Sequence, residues 1–171
     1  MAKKTFSGDL TIKDSDFHEV IWTGRTKGGV AVKITLHNAI NRDDIDLTAA
    51  EKADTVASAT FEACYENTDT MDVPAAEPWE IECADSSIAG ARSILLGAGK
   101  VSIDGKDVAL TRGGSQFTRA VTIREQNADG DFGAVKGRVS IDEARAKLKC
   151  SLLTFLPHFG EMYPGVTVKD G

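Results

Sequence analysis

Gly97-Ala98-Gly99-Lys100 is the stretch of this chain whose composition comes nearest to phosphate chemistry. A phosphate loop needs an earlier glycine where Ile94 stands and a magnesium-binding Ser or Thr where Val101 stands, and it must open a helix. Here an alternating strand follows, so the motif fails. Glu125, Asn127, Asp129 and Gly130 imitate the opening of a calcium loop. Its closing position is Lys136, a cation where a bidentate carboxylate is required, and its flanks read as strands. An acidic hairpin tip in water is the better reading. His18, His37 and His158 are scattered, there is no G-x-S-x-G elbow, and no Cys-His pairing is legible. Cys64, Cys83 and Cys150 include no C-x-x-C pair, which signals neither zinc nor redox chemistry. Cys150 shares strand parity with Leu148 and Leu152, which predicts a buried thiol, and free thiols suit a reducing compartment. Arg145, Lys147 and Lys149 share one strand face, solvated or facing a partner. These residues predict no catalytic, metal or cofactor site.

The elements that would carry any such residues are strands. The clearest organisation is Arg112 to Ile141, in which Phe117, Arg119, Val121 and Ile123 alternate with Thr118, Ala120, Thr122 and Arg124. The chain turns at Asp129-Gly130 and returns through Val135, Gly137, Val139 and Ile141, a long hairpin opened by Gly113-Gly114. Its edges suit pairing with another chain. Strands are also expected at Phe6–Ile12, Phe17–Gly24, Val30–His37, around Ile45 and Leu47, at Thr55–Tyr65 and Trp79–Cys83. Lys100–Ile103 and Lys106–Leu110 form a hairpin about Asp104-Gly105, the strongest short turn signal in the chain. Lys147–Leu156 and Val166–Val168 complete the set. Short helical turns are predicted at Ala49–Lys52 behind the N-cap Thr48, at Asp142–Arg145 (a turn or a bulge), and at His158–Tyr163 between two prolines. Glu66 to Pro78 is an acidic, turn-rich loop of the length that often serves a partner, and Ala84 to Ser93 reads as a linker.

Length and composition bound these elements to one domain of ordinary globular character, with 171 residues and 42% hydrophobic content. No apolar run approaches the ~20 residues of a membrane helix, so no membrane anchor is expected, and the basic start lacks the apolar core of a secretion signal. A net charge of −6 argues against tight nucleic-acid binding, yet suits a protein that lets a polyanion pass. Lys27-Gly28-Gly29 leads a strand, an acidic loop, an AAEK turn and a further strand. Arg112-Gly113-Gly114 leads the same order through DEAR, which makes an internal pseudo-repeat. The last strand and the first would form a hairpin if joined end to start, so the ends are expected side by side.

Most of the chain resembles the phage tail tube proteins. Residues 94–165 carry LLGAGKVSIDGKDV, TRGGSQF and AVKGRVSIDEARAKL, and resemble that family's amino-terminal half. Residues 16–83 carry DFHEVIWTG, KGGVAVKITLHNAI, IDLTAAEKADTV, TFEACYENTD and EPWEI, and resemble its carboxy-terminal half. The halves stand in swapped order across the linker 84–93, the arrangement of a circular permutant. The resemblance implies a mainly β fold, an antiparallel sandwich or barrel with long hairpins and one or two short helices. It further implies self-assembly into six-fold rings, stacked as the hollow tail tube of a virion made in a bacterial cytoplasm. Its partners would be its own copies and other tail proteins, with DNA passing without tight binding along an acidic bore. Two strands become candidates for the assembly wall: one through Gly28, Gly29, Val32 and Ile34, the other through Gly113, Gly114, Phe117, Val121 and Ile123. The loop bearing Asn67, Asp69, Met71 and Val73 becomes a candidate for subunit contact. A tail terminator, a baseplate ring or a secretion-tube component would share these features. A monomeric β-sandwich that binds a sugar or small ligand would instead need an exposed aromatic platform, for which Trp22 and Trp79 are the candidates. An enzyme with a dispersed site is the remaining alternative.

Overall fold

The computed structural model describes residues 4–46, 56–66, 74–83, 95–130, 132–153 and 156–170. Its strands are β1 (Lys4–Gly8), β2 (His18–Thr26), β3 (Ala31–Asn41), β4 (Ala57–Ala63), β5 (Trp79–Cys83), β6 (Leu95–Ile103), β7 (Lys106–Glu125), β8 (Val139–Leu152) and β9 (Val166–Asp170). The short helix α1 (Phe159–Met162) precedes β9. Pairing is antiparallel throughout, in the order β2-β6-β7-β8-β4-β3, and β2 pairs β3 as well. The sheet therefore closes on itself. Closure pairs β2 and β3, the two ends of the six-stranded order, and β5 adds a short outer strand alongside Val32–Leu36. The fold is mainly β, as expected.

Alternation explains the core. In β4, Ala57, Ala59, Phe61 and Ala63 point inward and are buried, while Ser58 is exposed. Val20 and Trp22, Leu36, Val101 and Ile103, and Leu148 and Leu152 close on them from the other strands. Emptying the Phe61 position would cost about 3–5 kcal/mol, since a buried aromatic is lost and a cavity left. Cys150 belongs to this core, and burial pushes its thiol up to about 11. Gly24 and Gly99 pair across β2 and β6, and the indole of Trp22 lies over both. A Cβ at Gly99 would stand 2.6 Å from Trp22 Nε1. The glycine that resembled a phosphate loop is thus a packing glycine inside a strand.

The ends of the chain make a separate ribbon. β1 pairs antiparallel with β9, with Lys4 opposite Asp170 and Gly8 opposite Val166. Phe6 rests against Phe159 of α1, with ring centroids 5.5 Å apart. The side-by-side ends and the helical turn after Pro157 match the sequence reading. Leu10 to Ile12 do not continue β1, and Ile45 lies outside any strand. Leu47, the turn Thr48–Lys52 and the linker 84–93 fall outside the described residues.

Further expectations meet differences in the structure. Gly113 and Gly114 do not open a strand. They are a bulge inside the continuous 20-residue β7, where the register steps from Thr111↔Leu152 to Ser115↔Cys150 and both glycines take positive φ (88° and 107°). Gly28 and Gly29 instead form the turn between β2 and β3, so the two Gly-Gly pairs are not structural equivalents. Asp142–Arg145 is strand and not a helical turn, and the register shift between Thr122↔Glu143 and Ile123↔Ile141 places at Asp142 the bulge that was the other expected form. Val135 to Gly137 stand before β8, in coil and turn.

Candidate assembly ribbon

β7 and β8 outrun the barrel. β6 accompanies β7 only as far as Leu110, and β4 accompanies β8 only from Lys147 onward. Between those limits Arg119–Glu125 and Val139–Ala146 form a two-stranded ribbon, extending about 20 Å at the usual strand rise. Among the described residues, neither outer edge has a partner strand.

A two-stranded ribbon is marginal by itself in water. This one is braced at its base by the segment leading into β5. Arg119 Nε donates to Glu77 Oε2 at 2.8 Å, and a second guanidinium nitrogen reaches Oε1. Trp79 Nε1 donates to the same carboxylate, while its ring packs on Phe117 at 5.1 Å. These bonds, Arg119's foremost, hold the Glu77 carboxyl at about 2. Tyr65, just beyond β4, donates its hydroxyl to the Ala144 carbonyl at 3.1 Å.

The two faces of the ribbon differ. Phe117, Arg119, Val121 and Ile123 stand opposite Leu148, Ala146, Ala144 and Ile141 on the face that continues the barrel interior. Phe117 and Val121 are half-buried on this face, and cover ends beyond them. Ile123 (59% exposed), Ile141 and Val139 remain open to solvent. The other face carries Thr118, Thr122, Arg124, Glu143, Arg145 and Lys147. There Arg124 Nε binds Asp142 at 2.8 Å, and Arg145 binds Glu143 at 2.5 Å. Glu62, its side chain only 10% exposed, meets Arg42 at 3.1 Å, Lys147 at 3.6 Å and Arg145 at 3.9 Å.

The structure gathers Phe117, Val121 and Ile123 in the ribbon, with Gly113 and Gly114 at its root. It places Val32 and Ile34 elsewhere. Each is 6% exposed within the chain's own barrel, and β3 is already paired with β2 and β5 on its two sides. Their side chains are packed inside that barrel, and Gly28 and Gly29 are an exposed turn. Asn67, Asp69, Met71 and Val73 lie outside the described residues. Val139 and Ile141, which the sequence places in the hairpin's return arm, were not among the assembly candidates read from it. Sequence reasoning also missed the brace from Glu77, for which no local signal existed.

The calcium-like stretch lies at the far end of the ribbon, and no group of three or more His, Cys, Asp or Glu side chains among the described residues could hold a metal ion. Trp22 is buried and Trp79 half-buried with its indole engaged, so neither is a free aromatic platform. No helix among the described residues is long and apolar enough to cross a membrane. The fold and ribbon define a closed antiparallel barrel with a braced, edge-bearing arm. No family model matches the chain, and no curated protein or solved structure matches it either.

Proposed function

We propose that the chain is a structural virion subunit that assembles with its own copies into rings, stacked as a hollow tail tube for DNA passage. The observation that carries this reading is the ribbon itself. Among the described residues, two unpaired strand edges and an exposed Ile123–Ile141–Val139 patch stand on an arm braced against a closed barrel. Exposed edges of this kind template pairing with another chain, and a ring of ribbons would satisfy every one of them. The resemblance in sequence to tail tube proteins supplies the class of assembly.

The swapped order of the two halves supports a circularly permuted form of that fold. The β1–β9 pairing is consistent with it, because Lys4 and Asp170 are cross-strand neighbours, well inside the ~20 Å that a short connecting loop spans.

Negative-stain electron microscopy across a concentration series tests the reading. Hollow tubes of stacked rings are expected. Rings that never stack would indicate a terminator or baseplate component, and a monodisperse monomer at every concentration would overturn self-assembly.

A further inference from the structure

We infer that Asp129, in the loop joining β7 to β8, converts spontaneously to isoaspartate through its bond to Gly130. Asp104–Gly105, the same dipeptide in the turn between β6 and β7, is held unreactive by its hydrogen bonds. The reaction belongs to the single folded chain and needs no assembly.

The chemistry is that of an aspartate followed by glycine. The main-chain nitrogen of Gly130 bonds to Cγ of Asp129 and gives up its proton. One oxygen of the neutral carboxyl leaves as water, with that proton and its own. Water then opens the five-membered imide. Opening at Cγ restores aspartate, and opening at the main-chain carbonyl leaves the chain running through Cβ and Cγ. One water leaves and one returns, so nothing is oxidised or reduced. The first step needs a following nitrogen that no side chain crowds, which glycine supplies, and a carboxyl free to turn onto it.

Exposure does not distinguish the two sites, because both aspartates and both glycines lie at the surface. Both glycines take positive φ, 77° at Gly105 and 95° at Gly130, and a Cβ on either would meet nothing within 4 Å. The carboxyls differ. Asp104 Oδ1 accepts from the Glu19 main-chain N–H at 2.9 Å, and Oδ2 meets His18 Nδ1 at 2.7 Å. The N–H of Asp104 itself donates to the Glu19 carbonyl at 2.9 Å, and Ile103 pairs with Lys106 across the turn. This carboxyl is fastened to β2, and both of its bonds must break before it can turn onto Gly105. The Asp129 carboxyl makes no hydrogen bond or ion pair among the described residues. The hairpin is fastened below it, where Gln126 N–H donates to Arg138 O at 2.9 Å. An isoaspartate at 129 adds a methylene to the main chain beyond Glu125 and Val139, where the pairing of β7 with β8 ends. The fold should therefore outlast the change.

The test ages folded protein at neutral pH and reads isoaspartate in its tryptic peptides, by enzymatic methyl transfer from labelled S-adenosylmethionine and by mass-spectrometric fragmentation. Trypsin separates the sites, since 101–106 carries Asp104 and 125–136 carries Asp129. Isoaspartate is expected to accumulate in 125–136 at least about tenfold faster than in 101–106, because two hydrogen bonds must first be released there. In urea both peptides should accumulate it at similar rates. Asp129→Glu, whose longer side chain would have to close a six-membered ring, should silence 125–136 and leave the fold unchanged. That variant separates Asp129 from Asp131 in the same peptide. Equal rates in the folded protein would overturn the inference, as would a peptide 101–106 that stayed inert in urea. So would a signal in 125–136 that survived Asp129→Glu, or one that never rose while the unfolded chain reacted.

Discussion

Trp22 lies across Gly99, its indole nitrogen where a side chain on that glycine would have to go. The slot is completed by Gly24, the cross-strand partner of Gly99. Gly99→Ala should therefore destabilise the barrel by about 1–3 kcal/mol, the usual cost of overpacking, and urea unfolding would measure it. Lys100→Ala should leave stability almost unchanged, since Lys100 is exposed and its contact with Asp107 is a surface ion pair. If the stretch were instead a phosphate loop, Lys100→Ala would be the damaging change and ATP would raise the melting temperature.

Ile123 and Ile141 face each other on the uncovered half of the ribbon. Their side chains contribute little to the folded monomer because both remain largely in water. Ile123→Lys and Ile141→Lys should each change unfolding free energy by less than about 0.5 kcal/mol, yet abolish large assemblies in sedimentation velocity. A variant that still formed tubes would remove this patch from the interface.

Glu77 offers a pH readout of the brace. Its carboxyl lies below the ordinary 4.5, at about 2, chiefly because Arg119 and then Trp79 hydrogen-bond its charged form. A depressed carboxylate contributes stability that is full above its unfolded value and is lost as pH falls through its folded value. The brace should thus weaken between about pH 4.5 and 2. Tryptophan emission should follow that window, because Trp79 loses its acceptor while Trp22 stays buried. Glu77→Gln should flatten the transition, and an unchanged profile would refute the assignment.

What the sequence revealed depended on the range of the signal. Trp79–Cys83, the Asp104-Gly105 turn and the inward face of β4 were legible because period-two alternation and turn chemistry are local. Gly113-Gly114 was misplaced because a Gly pair marks a strand break and a bulge alike; only the partner β8 decides between them. Asp142–Arg145 was ambiguous for the same reason. Val32 and Ile34 illustrate the limit for the site. Alternation shows that a face is covered, but not whether its own chain or a neighbour covers it, and here the barrel does. Closure through β2 pairing with both β3 and β6 is wholly non-local.

Cys83 and Cys150 should separate cleanly by reactivity. Cys150 is fully buried and its thiol is pushed up to about 11 by desolvation, whereas Cys83 is exposed at the end of β5. A maleimide at pH 7 should label Cys83 in the native protein and reach Cys150 only after denaturation. Native labelling of Cys150 would show that the barrel opens on the timescale of the reaction.

Lys4 and Asp170 stand opposite each other in the β1–β9 ribbon, and this permits a direct test of permutation. Between them the joined chain would hold Gly171, Met1, Ala2 and Lys3, a hairpin loop of a common length. A chain running from residue 94 to 171 and on through 1 to 83 restores the order that the resemblance implies. It breaks no strand pairing, because the new ends fall in or beside the stretch between β5 and β6. Such rearrangements succeed where the cut and the joint spare hydrogen-bonded backbone. The reordered chain should reproduce the far-ultraviolet circular dichroism of the original and melt cooperatively within a few degrees of it. It should also assemble as the original does, because the β7–β8 ribbon lies within one half and is untouched by the change. A reordered chain that stayed unfolded would mean that the swapped halves are not interchangeable parts of one fold.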